Sequence, residues 1–129
     1  MLLLTPALAS DADSIASVHM AAFGSNAMLL AQFPTAAARH DLERCIAEKA
    51  LADIQDSMMR VLVVRDLDKV ISFAKWHLPI RSLEYEESPW HWPPETNRAV
   101  LNSWIERVEA TKLKVLGHTP YYGKSQLLC

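Results

Sequence analysis

A close group of side chains that could do chemistry falls between positions 76 and 95. His77 follows Trp76 at the end of an apolar run. An imidazole there could serve as a general base or bind a substrate carbonyl, because its ordinary pKa suits both tasks. It could equally be a half-exposed strand histidine. Glu84, Glu86 and Glu87 come next, close enough together to orient an amine or take its proton, or to form a charged surface loop. Pro89-Trp90-His91-Trp92-Pro93-Pro94 follows after Ser88. Two tryptophans between prolines could close an apolar pocket as a lid, or clamp the loop to the core. His77 and Glu84 are therefore the candidate catalytic groups. Phe23, Trp76, Trp90, Trp92 and Tyr121 are the candidate substrate contacts, with Tyr121 and Tyr122 equally able to pack in a strand. No spacing of His, Cys, Asp and Glu resembles a metal site, and there is no nucleophile elbow. His19 and His40 fall on different predicted helices, and Trp104 lies on an apolar helix stripe.

The elements that must position these residues are legible from periodicity and punctuation. Leu2 to Leu4 reads as a short strand ended by Pro6. Ser10-Asp11-Ala12-Asp13 resembles a capping box, followed by Ile15, Val18, Ala22 and Phe23 at helical spacing. Met28, Leu29, Leu30 and Phe33 form a short apolar helix or turn, closed by Pro34. Thr35 caps a longer helix to about Gln55. Its apolar face carries Ala38, Leu42, Cys45, Ile46, Ala50 and Ile54, with Arg39, Asp41, Glu43, Arg44 and Lys49 mostly opposite. Arg60 to Arg65 and Lys69 to Leu78 read as a hairpin turning at Leu67-Asp68, which is not the preferred turn dipeptide. A helix capped by Thr96 or Asn97 runs through Val115 and stops at Gly117. Tyr121 to Cys129 reads as a further strand. The expected class is α/β, with an antiparallel half-sheet of about four strands and three to four helices in one domain over 1–129.

The chain has 129 residues and a formal net charge of −2. A domain of that size buries a core without staples. The absence of a basic stripe argues against nucleic-acid binding. Cys45 and Cys129 make no disulfide framework, and Cys45 reads as a small core residue. Met1-Leu2-Leu3-Leu4 lacks the basic flank and apolar length of a signal peptide. No stretch approaches the roughly 20 apolar residues of a membrane span. The expected compartment is the cytoplasm.

Several segments resemble the opening of the GNAT (N-acetyltransferase) superfamily: Leu4-Thr5-Pro6-Ala7, Ser10-Asp11-Ala12, and the helix ending Ala21-Ala22-Phe23. Phe73-Ala74-Lys75-Trp76 looks like that family's third strand. Pro89-Trp90-His91-Trp92-Pro93 and the helix after it are similar to an insertion in GNAT-like proteins of filamentous fungi. The resemblance implies a partial GNAT-like fold and kinship with acyl-CoA-dependent N-acetyltransferases. In that family the fourth strand leads into a glycine-containing loop whose backbone N–H groups hold the acetyl-CoA pyrophosphate. Leu127-Leu128-Cys129 resembles the end of that strand, and its backbone would be the cofactor contact. Gly24, Gly117 and Gly123 are the only glycines and form no phosphate nest. The implied expectation is a truncated domain with no cofactor as it stands, and acetyl-CoA if the domain were completed. The alternative is a GNAT-derived protein that binds or processes a small apolar or amine-bearing metabolite near Phe23, Trp76, His77, Trp90 and Trp92. An unpaired C-terminal strand implies a homodimer, held partly by that strand and partly by the apolar surface beside it; the alternative is a monomer in which the long third helix folds back over that surface.

Overall fold

The computed structural model describes residues 1–79, 85–120 and 123–124. Its elements are β1 (Leu2–Pro6), a 3-10 turn (Ala9–Asp11), α1 (Ala12–Phe23), α2 (Ala27–Gln32), α3 (Ala36–Gln55), β2 (Met59–Asp66), β3 (Lys69–His77), α4 (Arg98–Leu116) and β4 (Gly123–Lys124). The class is α/β, with four helices and an open antiparallel sheet. Three strands are long, and β4 is a two-residue fourth beside β3. The remainder of the expected Tyr121–Cys129 strand lies outside the described residues.

Local chemistry explains most boundaries. The Asn26 side chain caps α2 by accepting from the Met28 and Leu29 N–H groups, and Thr35 caps α3 by accepting from Ala38. Asn97, rather than Thr96, caps α4. Each such cap satisfies an N–H that the helix itself leaves unpaired. Gly117 ends α4 with φ 58°, a conformation that costs glycine nothing. The N-terminus of α1 differs from the expected capping box. Asp11 itself turns back, accepting from the Leu8 N–H at 2.7 Å and from the Arg65 guanidinium at 2.9 and 2.5 Å. The Arg65 bond, ahead of the other contacts, holds the Asp11 carboxyl below its usual range. It ties the start of α1 to β2.

Helices α1 and α3 cover one face of the sheet. Ile15 and Ala50 meet Val61, Val63 and Val70 there, while Ala16, Leu29, Phe33, Ala38, Leu42 and Ile46 form an adjoining cluster among the helices. Each fully buried Leu, Ile, Val or Phe contributes about 1.5–3 kcal/mol. The sheet needs one irregularity to present its residues correctly. Val64 pairs with Ser72, yet Arg65 pairs with Val70, so Ile71 is an extra residue. That bulge lets Val70 share the covered face with Phe73, Lys75 and His77, although their numbers differ in parity. α4 leans on α2 and buries only Leu101. No helix among the described residues is long and apolar enough to cross a membrane.

Candidate functional site

The structure gathers charge where the sequence reading expected apolar packing. On α3, Leu42, Ile46, Lys49, Ala50 and Asp53 follow one stripe, and all five are buried. Lys49 departs from the expected placement mostly opposite the apolar face. It lies on the covered side because the stripe turns with the helix and a partner waits there. Its ammonium donates to Asp53 Oδ1 at 2.7 Å. Lys75, on the covered face of β3, donates to Asp53 Oδ2 at 3.0 Å. One fully buried carboxylate thus serves two buried ammoniums. Lys49 also donates to Glu87 Oε1 at 3.0 Å, and that glutamate is 42 % exposed. Trp90 closes the group: both ammoniums stand 5.9 Å from its ring centroid, in reach of cation–π attraction. Burial pushes the Lys75 amine below its ordinary pKa, against the opposing pull of Asp53.

His19 completes this interior. Its ring meets Phe23 edge-on at 5.2 Å and stacks on Phe73 at 6.2 Å. Phe73 precedes Lys75 by two residues on the same face. Burial, helped by repulsion from Lys75, pushes the His19 pKa down to about 4. Its Nε2 has no hydrogen-bond partner among the described residues, and neither end of the buried Gln32 amide has one.

Residues 85–97 form the strap that carries Glu87 and Trp90. Trp90 stacks on Trp92 at 4.6 Å with rings 4° from parallel, and Trp92 leans on Phe33 at 5.8 Å. The Tyr85 hydroxyl donates to Asp56 at 2.7 Å; burial first, then that contact, raises its pKa. Thr35 donates to Glu95 at 2.6 Å. Between α3 and this strap lies a cleft of about 480 Å³, bordered by Cys45, Lys49, Ala52, Ser88, Pro89 and His91.

The candidate residues read from sequence are brought together only in part. Phe23, Trp90 and Trp92 pack against the same helical core cluster. Trp76 does not join them. It pairs with Arg60 on the sheet's other face and is 41 % exposed, because strand alternation sends it opposite to Lys75 and His77. His77 is buried at the end of β3, with Nδ1 donating to the Leu78 carbonyl at 3.1 Å. Gly123 lies so close to its ring that a Cβ there would come within 1.7 Å of Nε2. Glu84, Tyr121, Leu127, Leu128 and Cys129 lie outside the described residues. No group of three or more His, Cys, Asp or Glu that could hold a metal ion occurs among the described residues. The sequence reading missed Lys49, Asp53 and Lys75. The available signal was two charges inside an otherwise apolar helical stripe and one inside an apolar strand face. Comparison with family models, with curated proteins and with solved structures finds no match to this chain.

Proposed function

We propose that this chain is a GNAT-like domain, related to acyl-CoA-dependent N-acetyltransferases, that does not itself bind acetyl-CoA. The observation carrying this reading is topological. A first strand, helices, a hairpin and a last short strand lie antiparallel in chain order, with α1 and α3 on one face. That arrangement agrees with the partial GNAT-like fold implied by the sequence. In a complete enzyme of this kind the amine attacks the thioester directly, and the protein positions it and removes a proton. These 129 residues contain no glycine-rich loop for the pyrophosphate. Charge-assisted hydrogen bonds contribute roughly 1.5–3 kcal/mol each, so the loss of several weakens binding by orders of magnitude. Calorimetry with acetyl-CoA is expected to detect no binding at micromolar concentration. Micromolar affinity, or acetyl transfer by the purified chain, overturns this reading.

A second reading, a small-metabolite-binding protein derived from the same fold, is favoured by one feature: the cleft between α3 and the strap, bordered by Lys49, Ser88, Pro89 and His91. Its volume falls within the range of small-molecule sites. A ligand screen by native mass spectrometry tests it. A Trp90→Ala, Trp92→Ala chain that remains folded is expected to lose any ligand found.

A further inference from the structure

Helix α1 and the start of β3 border a groove of about 760 Å³. Its helix wall is a stripe at helical spacing, Ser14, Val18, Ala21 and Ala22, and its sheet wall is Val70 and Ile71. Side chains this small leave room for another element to lie alongside α1, and Ile71 is 41 % exposed. The rim is charged. Asp13, Asp68 and Lys69 border the groove, and Asp13 also borders the neighbouring groove between α1 and α3, together with Glu43. None of these four forms a salt bridge among the described residues. Three carboxylates against one ammonium leave a net −2 on this surface, as large as the formal charge of the whole chain. Leu67, immediately before Asp68 at the hairpin tip, is 83 % exposed with φ 56°. A leucine in that left-handed conformation is strained in the free chain. A partner laid along the groove would give its side chain apolar contact.

We propose that this groove docks an amphipathic helix of another protein, apolar on the side that meets Val18, Ala22 and Ile71 and basic on its flanks. The unpaired carboxylates set the sign of the flanks: Lys or Arg on one side meets Asp13 and Glu43, and on the other meets Asp68. The sheet wall selects a helix over a strand. An added strand needs a regular run of edge N–H and C=O groups, and the bulge at Ile71 interrupts that run beside the groove. From Asp13 to Ala22 the helix wall rises about 14 Å, room for about two and a half turns of a partner. The inference stands apart from both readings above, neither of which uses this groove.

The test is an NMR titration of the full chain with a synthetic amphipathic helical peptide of about 14 residues built of Leu and Lys, compared with a Leu and Glu peptide of the same pattern. The Leu/Lys peptide is expected to bind with shifts centred on Val18, Ala22, Val70 and Ile71, and the Leu/Glu peptide to bind at least about tenfold more weakly. Ala22→Lys, at an exposed helix position, sets a long cationic side chain in the groove and is expected to weaken the Leu/Lys peptide about tenfold or more. Ala110→Lys adds the same charge on the exposed surface of α4 and is expected to leave binding within about twofold. Leu67→Asn is expected to weaken binding while stabilising the free chain, and undiminished binding refutes the part given to the hairpin tip. No binding of the Leu/Lys peptide, or equal binding of the two peptides, overturns the proposal. Equal weakening by Ala22→Lys and Ala110→Lys also overturns it, by showing attraction to net charge alone. Shifts centred on Leu62, Ala74 and Trp76 overturn it by placing the peptide on the open face of the sheet. Should Ala22→Lys fail to fold, undiminished binding to a chain carrying both Asp13→Asn and Asp68→Asn overturns the proposal.

Discussion

His19 shows how one buried side chain shapes the behaviour of this protein. Its folded pKa is pushed from 6.5 to about 4, so the unfolded chain binds the proton more readily. Stability from this group is present above about pH 6.5 and falls as pH drops toward 4. The linked free energy is roughly 3 kcal/mol. Urea midpoints measured from pH 7 to pH 4 should fall more steeply for the native chain than for His19→Phe. Parallel curves would show that His19 is not buried neutral. Asp53 offers a companion test. Asp53→Asn leaves Lys49 and Lys75 without their shared carboxylate and is expected to cost about 3–5 kcal/mol. Lys75→Met keeps Asp53 paired with Lys49 and should cost less. Equal losses in urea unfolding would mean that the shared carboxylate does not hold the cluster together.

Elements rather than single residues decide how the strap and hairpin are held. Leu67 turns the hairpin with φ 56° while 83 % exposed. A side chain branched beyond Cβ pays about 1–2 kcal/mol for that conformation, and asparagine tolerates it better. Leu67→Asn should raise the melting temperature by an amount equivalent to about 1 kcal/mol, and an unchanged or lower value would refute the strain. Trp92, half-buried on Phe33, belongs to the packing account of the tryptophan pair. Trp92→Ala should cost about 3 kcal/mol, near the low end for a truncated core aromatic; a neutral result would restore a pure lid role. These elements also show what was legible in advance. Thr35, Pro34 and Gly117 punctuate helices, and their boundaries were readable because capping is local chemistry. The hairpin was readable from β-branched residues even though Leu67-Asp68 is a poor turn. The bulge at Ile71 was not, because it depends on pairing across strands. Lys49 escaped for a related reason. A charge in an apolar stripe announces burial only once its partners, 4 and 38 residues away, are known to converge. Asp53 and Lys75 meet only when α3 lies on the sheet.

At the scale of the whole molecule, the sheet is covered on one face and open on the other among the described residues. Leu4 and Val64 pair on the open face, as do Leu62 and Ala74, with Trp76 beyond them. Leu4 is 65 % exposed and Trp76 41 %. Apolar surface of this kind is uncommon on a free-standing domain. β4 adds a second feature, a strand edge beside His77 with only two described residues. An edge with unpaired N–H and C=O groups can pair with another chain. The two features together favour the homodimer implied by the sequence, built around a two-fold axis that brings like strands or like faces together. Sedimentation equilibrium at micromolar concentration should therefore give twice the chain mass. Trp76→Glu, which sets a charge in the open face and touches neither Asp53 nor Lys75, should shift the equilibrium toward monomer while the melting temperature of the monomer stays nearly unchanged. Deletion of Gln126 to Cys129 separates the two routes. A dimer that survives the deletion but not Trp76→Glu is held by the sheet face, and one with the opposite response is held by the C-terminal edge. A monomer at every concentration would remove both.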